Sequence, residues 1–399
     1  MGKEGSKTVL QKLYICCKLG ERLHPVESFL GYSMILAYLY TGNTQIIDWF
    51  EKNALIQTFL FLFTAFIPSW LTGHMFYVDI AWPLGVMMIG AQLVYSCLSP
   101  ENFEMESFDA RSVLTVVFEQ FKKSSSDKSN LHALLMGIAL TLHGGRMGFG
   151  ALALFAPYVR SKDLPRYEYA KLRFYHHMGG ASNKFWILKR NHDIFQQYFA
   201  NVVILGTIGA LIVSTKNTRE SFEVLQFPIV SWMGLTIWVL AWIIESAVDI
   251  QKLIFQIRIK LRKKNSTNVK FVLGYAPYNG KEFFLWTLSR HPNYFCEWLS
   301  WCGLVISTLP CLYDLYTIQG ESMFLVGYWA LNLFLIPRFV YDCLMYWTGA
   351  APAEHFSHQK RGERYSNYQN STRVFFPFPI PFVNHAMKSG WSTIYSKEN

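Results

Sequence analysis

Leu285-Trp286-Thr287-Leu288-Ser289-Arg290-His291-Pro292-Asn293-Tyr294-Phe295-Cys296-Glu297-Trp298-Leu299-Ser300-Trp301-Cys302-Gly303 lies within an apolar run and yet holds a guanidinium, an imidazole, an amide, a phenol and a carboxylate. Polar groups at membrane depth are costly and need partners, so such a cluster marks a site by default. Pro292 has no amide hydrogen and tends to break a helix, which frees carbonyls where a ligand docks. The plainer reading is a helix kink with satisfied polar neighbours. Five polar types within eight positions favour the site.

Working outward, the chain is 51% hydrophobic and 17% aromatic with only 16% charged residues, and its apolar segments recur too often for a soluble core. Mean hydropathy is +0.16 with the loops included, as in a polytopic membrane protein. The net charge of +10 does not imply nucleic acid, because the basic residues cluster in loops beside apolar spans. The seven cysteines form no C-x-x-C pair and read as small buried hydrophobes. His355 and His358 lack further ligands, so no metal site is expected.

Runs near 20 residues predict an all-α polytopic transmembrane bundle of about seven to nine spans, at roughly 27–41, 54–73, 79–98, 131–158, 194–213, 227–248, 283–308 and 323–347. The division expected is a basic extension over 1–26, N-terminal membrane helices over 27–158, a basic loop over 159–193, a C-terminal core with the cofactor pocket over 194–383, and a tail over 384–399. The basic segments 159–193 and 251–282 and the tail fall on one side of the membrane under this count, as the positive-inside rule requires. The mixed loop 99–130 then faces the other side, and Ser124-Ser125-Ser126 reads as a polar linker. Asn265 and Asn370 head glycosylation patterns on the basic side, so neither is expected to be used. Met1-Gly2-Lys3-Glu4-Gly5-Ser6 fits a myristoylation pattern that a multi-span chain does not need. Gly144-Gly145 and Gly206-x-x-Gly209 lie in apolar runs where small residues allow close helix approach.

Three polar groups accompany the central stretch. Glu245, Asp249 and Lys252 recur at helical spacing on one face, as a salt-bridge ladder or part of a site. Lys360, Arg361, Tyr365 and Tyr368 precede an aromatic, proline-rich segment at Phe375-Phe376-Pro377-Phe378-Pro379. They suit either an anionic, phosphate-bearing ligand or anionic lipid. In the N-terminal half are His74, Asp79, Trp82, His143 and Arg146. Asp79 is an interfacial cap or, facing inward, a group that orients a carbonyl or supplies a proton.

Ser289 to Trp298 resembles the signature of the steroid 5-alpha-reductase-like membrane family, roughly S-R-H-P-N-Y-F-G-E-W. Val78-Asp79-Ile80-Ala81-Trp82 resembles its early aspartate–tryptophan element, Arg146, Arg166-Tyr167 and Arg173 its arginine-rich middle, Glu245 to Lys252 its E-x-x-x-D-x-Q-K element, and Lys360 to Tyr368 its tail. The resemblance covers roughly 75 to 380. It implies a helical membrane enzyme that reduces a polarised C=C bond in a lipid, sterol-like or enoyl substrate with NADPH. Arg290, His291, Asn293, Tyr294 and Glu297 would line the cofactor site. Asp249, Lys252, Lys360, Arg361, Tyr365 and Tyr368 would complete it, with Asp79 and Tyr294 as the first candidates at the reacting centre. Cys296 stands where the family pattern has glycine. Isoprenylcysteine methyltransferases carry a similar R-H-P-x-Y stretch and bind S-adenosylmethionine, so methyl transfer is the alternative. A non-catalytic subunit retaining the fold in a membrane complex is the third reading. Expected surroundings are membrane lipids, a hydrophobic small-molecule substrate and protein partners of a membrane complex, in the endoplasmic reticulum or, alternatively, a mitochondrial membrane.

Overall fold

The computed structural model describes residues 25–98, 128–155, 163–178, 183–216, 229–263 and 271–378. The extension 1–24, the Ser124-Ser125-Ser126 linker, Asn265 and the tail beyond 378 lie outside the described residues. In chain order the helices are α1 (Pro25–Ser33), α2 (Ile35–Tyr40), α3 (Thr44–Phe61, continued by Leu62–Phe66 and Ile67–Thr72), α4 (Val78–Leu98) and α5 (Lys128–Phe155). Then come α6 (Pro165–Met178), α7 (Asn183–Phe199, continued by Ala200–Leu205 and Gly206–Lys216) and α8 (Ile229–Lys263). Last are α9 (Pro292–Thr317), α10 (Met323–Asp342, continued by Cys343–Trp347), α11 (Ala350–Arg361) and α12 (Glu363–Ser371).

The described residues are 86% helical, with no strand among them. Among the described residues six helices are long and apolar enough to cross a membrane, and Phe29–Tyr40 is a shorter apolar helix. Over their described residues, the eight expected spans fall mainly on helix. The run at 131–158 is α5, whose His132, His143 and Arg146 dilute its apolar character. The run at 283–308 is displaced: the helix starts at Pro292 and extends to Thr317. Proline suits the first helical position, where its missing N–H costs nothing. Leu285–Leu288 forms a separate turn, and Ser289 is extended at φ −148° and ψ 153°. This is an integral membrane protein that contacts lipid.

The chain divides into two compact units, Met1–Trp238 with Trp301–Phe339, and Val239–Ser300 with Val340–Asn399. In the first unit α3 shows how the sequence sorts its faces. Asn43 caps it, accepting from the Gln45 and Ile46 amides. Ile46, Trp49, Asn53, Gln57 and Phe61 form a buried stripe at helical spacing, while Leu55, Phe59, Phe63 and Leu71 are exposed. The inward face therefore carries amides beside apolar groups, while the outward face is largely aliphatic and aromatic, as lipid requires.

The inward amides meet the wide-turn segment Ala200–Leu205 of α7, where the i→i+5 pattern loosens the backbone. Asn53 Nδ2 donates to the carbonyls of Asn201 and Val202 (3.2 Å each), and Tyr38 Oη donates to Val203 O (3.0 Å). Gln57 Nε2 donates to Gly85 O (2.9 Å), and Asn201 Nδ2 to Trp82 O (3.0 Å). This network ties α3, α4 and α7 together away from water. Helices α4 and α5 touch backbone to backbone: a Cβ on Gly144 would lie 2.4 Å from Met87 N, and one on Gly90 2.4 Å from Thr141 N. The close approach expected of Gly144 holds. Gly209 serves the same end, its missing Cβ leaving room for the Trp49 ring.

In the second unit the 271–288 segment packs on α8 through Val248, Phe255, Leu273, Tyr278, Phe283 and Trp286. An Arg258–Glu282 ion pair adds to this contact. Residues 373–376 lie on the start of α9, where Val374, Phe375 and Phe376 cluster with Phe295, Trp298 and Tyr341.

Candidate functional site

Ser289, Arg290 and His291 hold the end of the described chain. The backbone N–H groups of Arg290 and His291 donate to the carbonyls of Arg373 (2.7 Å) and Val374 (3.1 Å). Ser289 Oγ lies within hydrogen-bond reach of Val374 O (3.1 Å) and Phe375 O (2.8 Å). The Arg290 guanidinium makes a fork with Glu354, Nε to Oε1 (2.5 Å) and Nη2 to Oε2 (3.0 Å). Its Nη1 donates to Gln369 O (3.0 Å) and Thr372 O (2.5 Å), capping the C-terminal carbonyls of α12. His291 Nε2 donates to Glu354 Oε1 (3.1 Å), and Gln369 Nε2 donates to Oε2 (2.8 Å). Glu354 is 1% exposed, so its charge is balanced entirely within this cluster. Burial pushes the His291 pKa below its ordinary value, and the hydrogen bond to Glu354 opposes the shift.

Around this clamp the remaining expected residues of the second unit assemble. Tyr294 stacks on His291 with centroids 5.2 Å apart and planes 7° from parallel. Tyr368 Oη donates to Trp286 O (2.6 Å), and Lys252 Nζ lies 5.9 Å from the Trp286 ring centroid. Gly274, at φ +81°, makes room for this contact: a Cβ there would stand 2.3 Å from Trp286 O. Arg361 donates from Nε to Phe271 O (2.9 Å) and from Nη1 to Ser357 Oγ (2.8 Å), with Tyr365 beneath its guanidinium at 5.9 Å. Burial raises the phenol pKa values of Tyr365 and Tyr368, which keeps both protonated as donors. Glu297 is buried, Asp249 half-buried and Lys360 exposed. Asn293 is 9% exposed, and its Oδ1 has no hydrogen-bond partner among the described residues.

The cluster thus contains two kinds of residue. Arg290, His291 and Tyr368 spend their donors on the protein. Asn293, Tyr294, Lys252 and Lys360 keep polar side-chain atoms that no hydrogen bond among the described residues engages. Sequence reasoning missed Glu354 and Gln369. A buried Arg–His pair demands a carboxylate, and that demand is the signal that points to Glu354. Among the described residues no group of three or more His, Cys, Asp or Glu side chains could hold a metal.

Asp79 belongs to the first unit. Its Oδ1 accepts from Tyr167 Oη (2.6 Å) and lies 3.6 Å from Arg166 Nη1. Its Oδ2 is buried with no hydrogen-bond partner among the described residues, as is Trp82 Nε1 one turn on. Burial, then the nearby Asp79 carboxylate, raises the Tyr167 pKa, so the phenol remains the donor in this pair. His143 stands edge-on to Trp301 with centroids 5.2 Å apart.

No curated protein and no solved structure matches the chain. One family model matches residues 168–372, which contain every expected cofactor residue from Asp249 to Tyr368 and exclude Asp79. The chain therefore belongs to the family described as "Protein of unknown function (DUF1295)", a family associated with steroid 5-alpha-reductase-like proteins.

Proposed function

We propose that the protein is a membrane-embedded, NADPH-dependent reductase of a polarised C=C bond in a lipid, sterol-like or enoyl substrate. The observation that carries the reading is the buried Asn293 Oδ1, which takes no hydrogen bond among the described residues and lies beside the closed Arg290–His291–Glu354 cluster. Burying an amide oxygen without a donor costs about 1–3 kcal/mol, and a bound ligand bearing N–H or O–H groups removes that cost.

The donor set fits a dinucleotide. Lys252, Lys360 and Arg361 would meet phosphate oxygens, and Asn293 and Tyr294 would meet an amide or ribose edge. Asp249 and Glu297 would accept from hydroxyl groups. Arg290, His291, Glu354 and Tyr368 would position those residues without touching the guest. NADPH, when bound, supplies the hydride. The protein's part is to orient the substrate, exclude water and deliver a proton. Asp79 and Tyr294 are the residues proposed for the last task, and each is tested by its own substitution, Asp79→Asn and Tyr294→Phe. The endoplasmic reticulum is the proposed compartment.

The test is calorimetric titration of the full-length protein in nonionic detergent with NADPH and, separately, with S-adenosylmethionine. The expected result is saturable NADPH binding, weakened about tenfold or more by Asn293→Ala. Binding of the methyl donor alone would replace the reading with methyl transfer. Binding of neither would favour a non-catalytic subunit.

A further inference from the structure

A second candidate site lies wholly within the first unit. The turn after α3, the start of α6 and the first turns of α7 enclose a cleft of about 430 Å³. Arg190 lines it and is 5% exposed. Its Nε has no hydrogen-bond partner, and no ion pair engages the guanidinium among the described residues. This contrasts with Arg290, whose Nε, Nη1 and Nη2 all donate to acceptors. The buried Nε without an acceptor is costly, and an anion arriving at the guanidinium from the cleft relieves that cost.

The carboxylate nearest in effect, Asp163, is already taken. It accepts from the backbone N–H groups of Met75 (2.6 Å), Phe76 (3.1 Å) and Leu164 (2.9 Å), which fixes the wall of the cleft. Burial raises its pKa, and those three hydrogen bonds oppose the shift. Lys171 adds a second cation to the lining and Glu168 a carboxylate suited to a hydroxyl or ammonium beside the anion. Trp70 and Trp186 form apolar walls. Both α3 and α7 belong to membrane-crossing candidates, Thr44–Thr72 and Phe185–Lys216, and the cleft sits where the first ends and the second begins. Tryptophan and basic residues at span ends lie at headgroup depth.

We propose that this cleft binds a phosphate group, carried by a lipid headgroup or by a free phosphate ester, with Arg190 and Lys171 as its ligands. The site is independent of the nucleotide reading in the second unit.

The experiment is isothermal titration of the full chain in a maltoside detergent with three probes: dihexanoylphosphatidic acid, dihexanoylglycerol and glycerol 3-phosphate. Phosphatidate is expected to bind and dihexanoylglycerol not to bind. Arg190→Gln should weaken phosphatidate binding roughly tenfold to a hundredfold, as loss of a charge-assisted hydrogen bond does. Lys171→Gln, at a half-buried position, should weaken it several-fold, so a misfolded Arg190 variant does not remove the test. Glycerol 3-phosphate binding as tightly as phosphatidate would identify a free ester as the guest. Weaker binding would identify a lipid. Equal binding of dihexanoylglycerol and phosphatidate, or unchanged affinity in Lys171→Gln and a folded Arg190→Gln, overturns the proposal.

Discussion

Glu354→Ala is the substitution that tests most directly how the C-terminal unit is held. Glu354 receives four hydrogen bonds, two from Arg290, one from His291 and one from Gln369. Removing one partner of a buried ion pair costs about 3–5 kcal/mol, because the other charge stays buried without compensation. Arg290 would keep the carbonyls of Gln369 and Thr372 as acceptors, which places the expected loss near the lower end, about 3 kcal/mol. The double variant Arg290→Met with Glu354→Leu leaves no orphaned charge, so it should be less destabilised than either single variant. The assay is a denaturant titration of purified protein in mixed micelles, followed by circular dichroism, for the two singles and the double. Single variants that lose under about 1 kcal/mol, or losses that simply add in the double, would refute the claim that this pair clamps the tail helices to α9.

Gly274→Ala should lower the thermal midpoint measured in the same micelles, because its φ of +81° and the nearby Trp286 carbonyl both oppose a side chain. His291 has a folded pKa below its ordinary value of 6.5, so its contribution to stability is complete above that value and is lost as the pH falls below it. A midpoint that does not drop between pH 7 and pH 5, or an equal drop in His291→Asn, would remove that role. Asn370 is exposed on α12 but is expected to carry no glycan. An endoglycosidase mobility shift at Asn370 or Asn265 would reverse the orientation assigned from the basic loops.

Much of the fold was legible because apolar run length and proline position are local signals. Pro292 marked the break in the seventh run, and the structure places the start of α9 there. The boundary moved because Leu285–Leu288 is as apolar as the helix it precedes, and hydropathy does not separate the two. The residues of the candidate site were legible as types, since each is polar within an apolar surround. Their division of labour was not. Whether Arg290 serves a ligand or the fold depends on Glu354, 64 positions away, and nothing local in Ala350-Ala351-Pro352-Ala353-Glu354 announces that partner. The same holds for Asn53, Gln57 and Asn201, whose amides look like isolated polar residues until three helices bring them together. Arg190 was visible only as one more cation in a basic loop. Its burial is a tertiary property.

The distance in sequence between Arg290 and Glu354 also shapes how the chain is made. With the two residues 64 positions apart and synthesis at about 5–20 residues per second, the cation emerges from the ribosome roughly 3 to 13 seconds before its counter-ion. Through that interval the beginning of α9 carries a bare positive charge, which stays at the lipid surface more readily than it enters hydrocarbon. A chain that terminates before Glu354 keeps the Arg290 charge without the carboxylate that balances it in the finished fold.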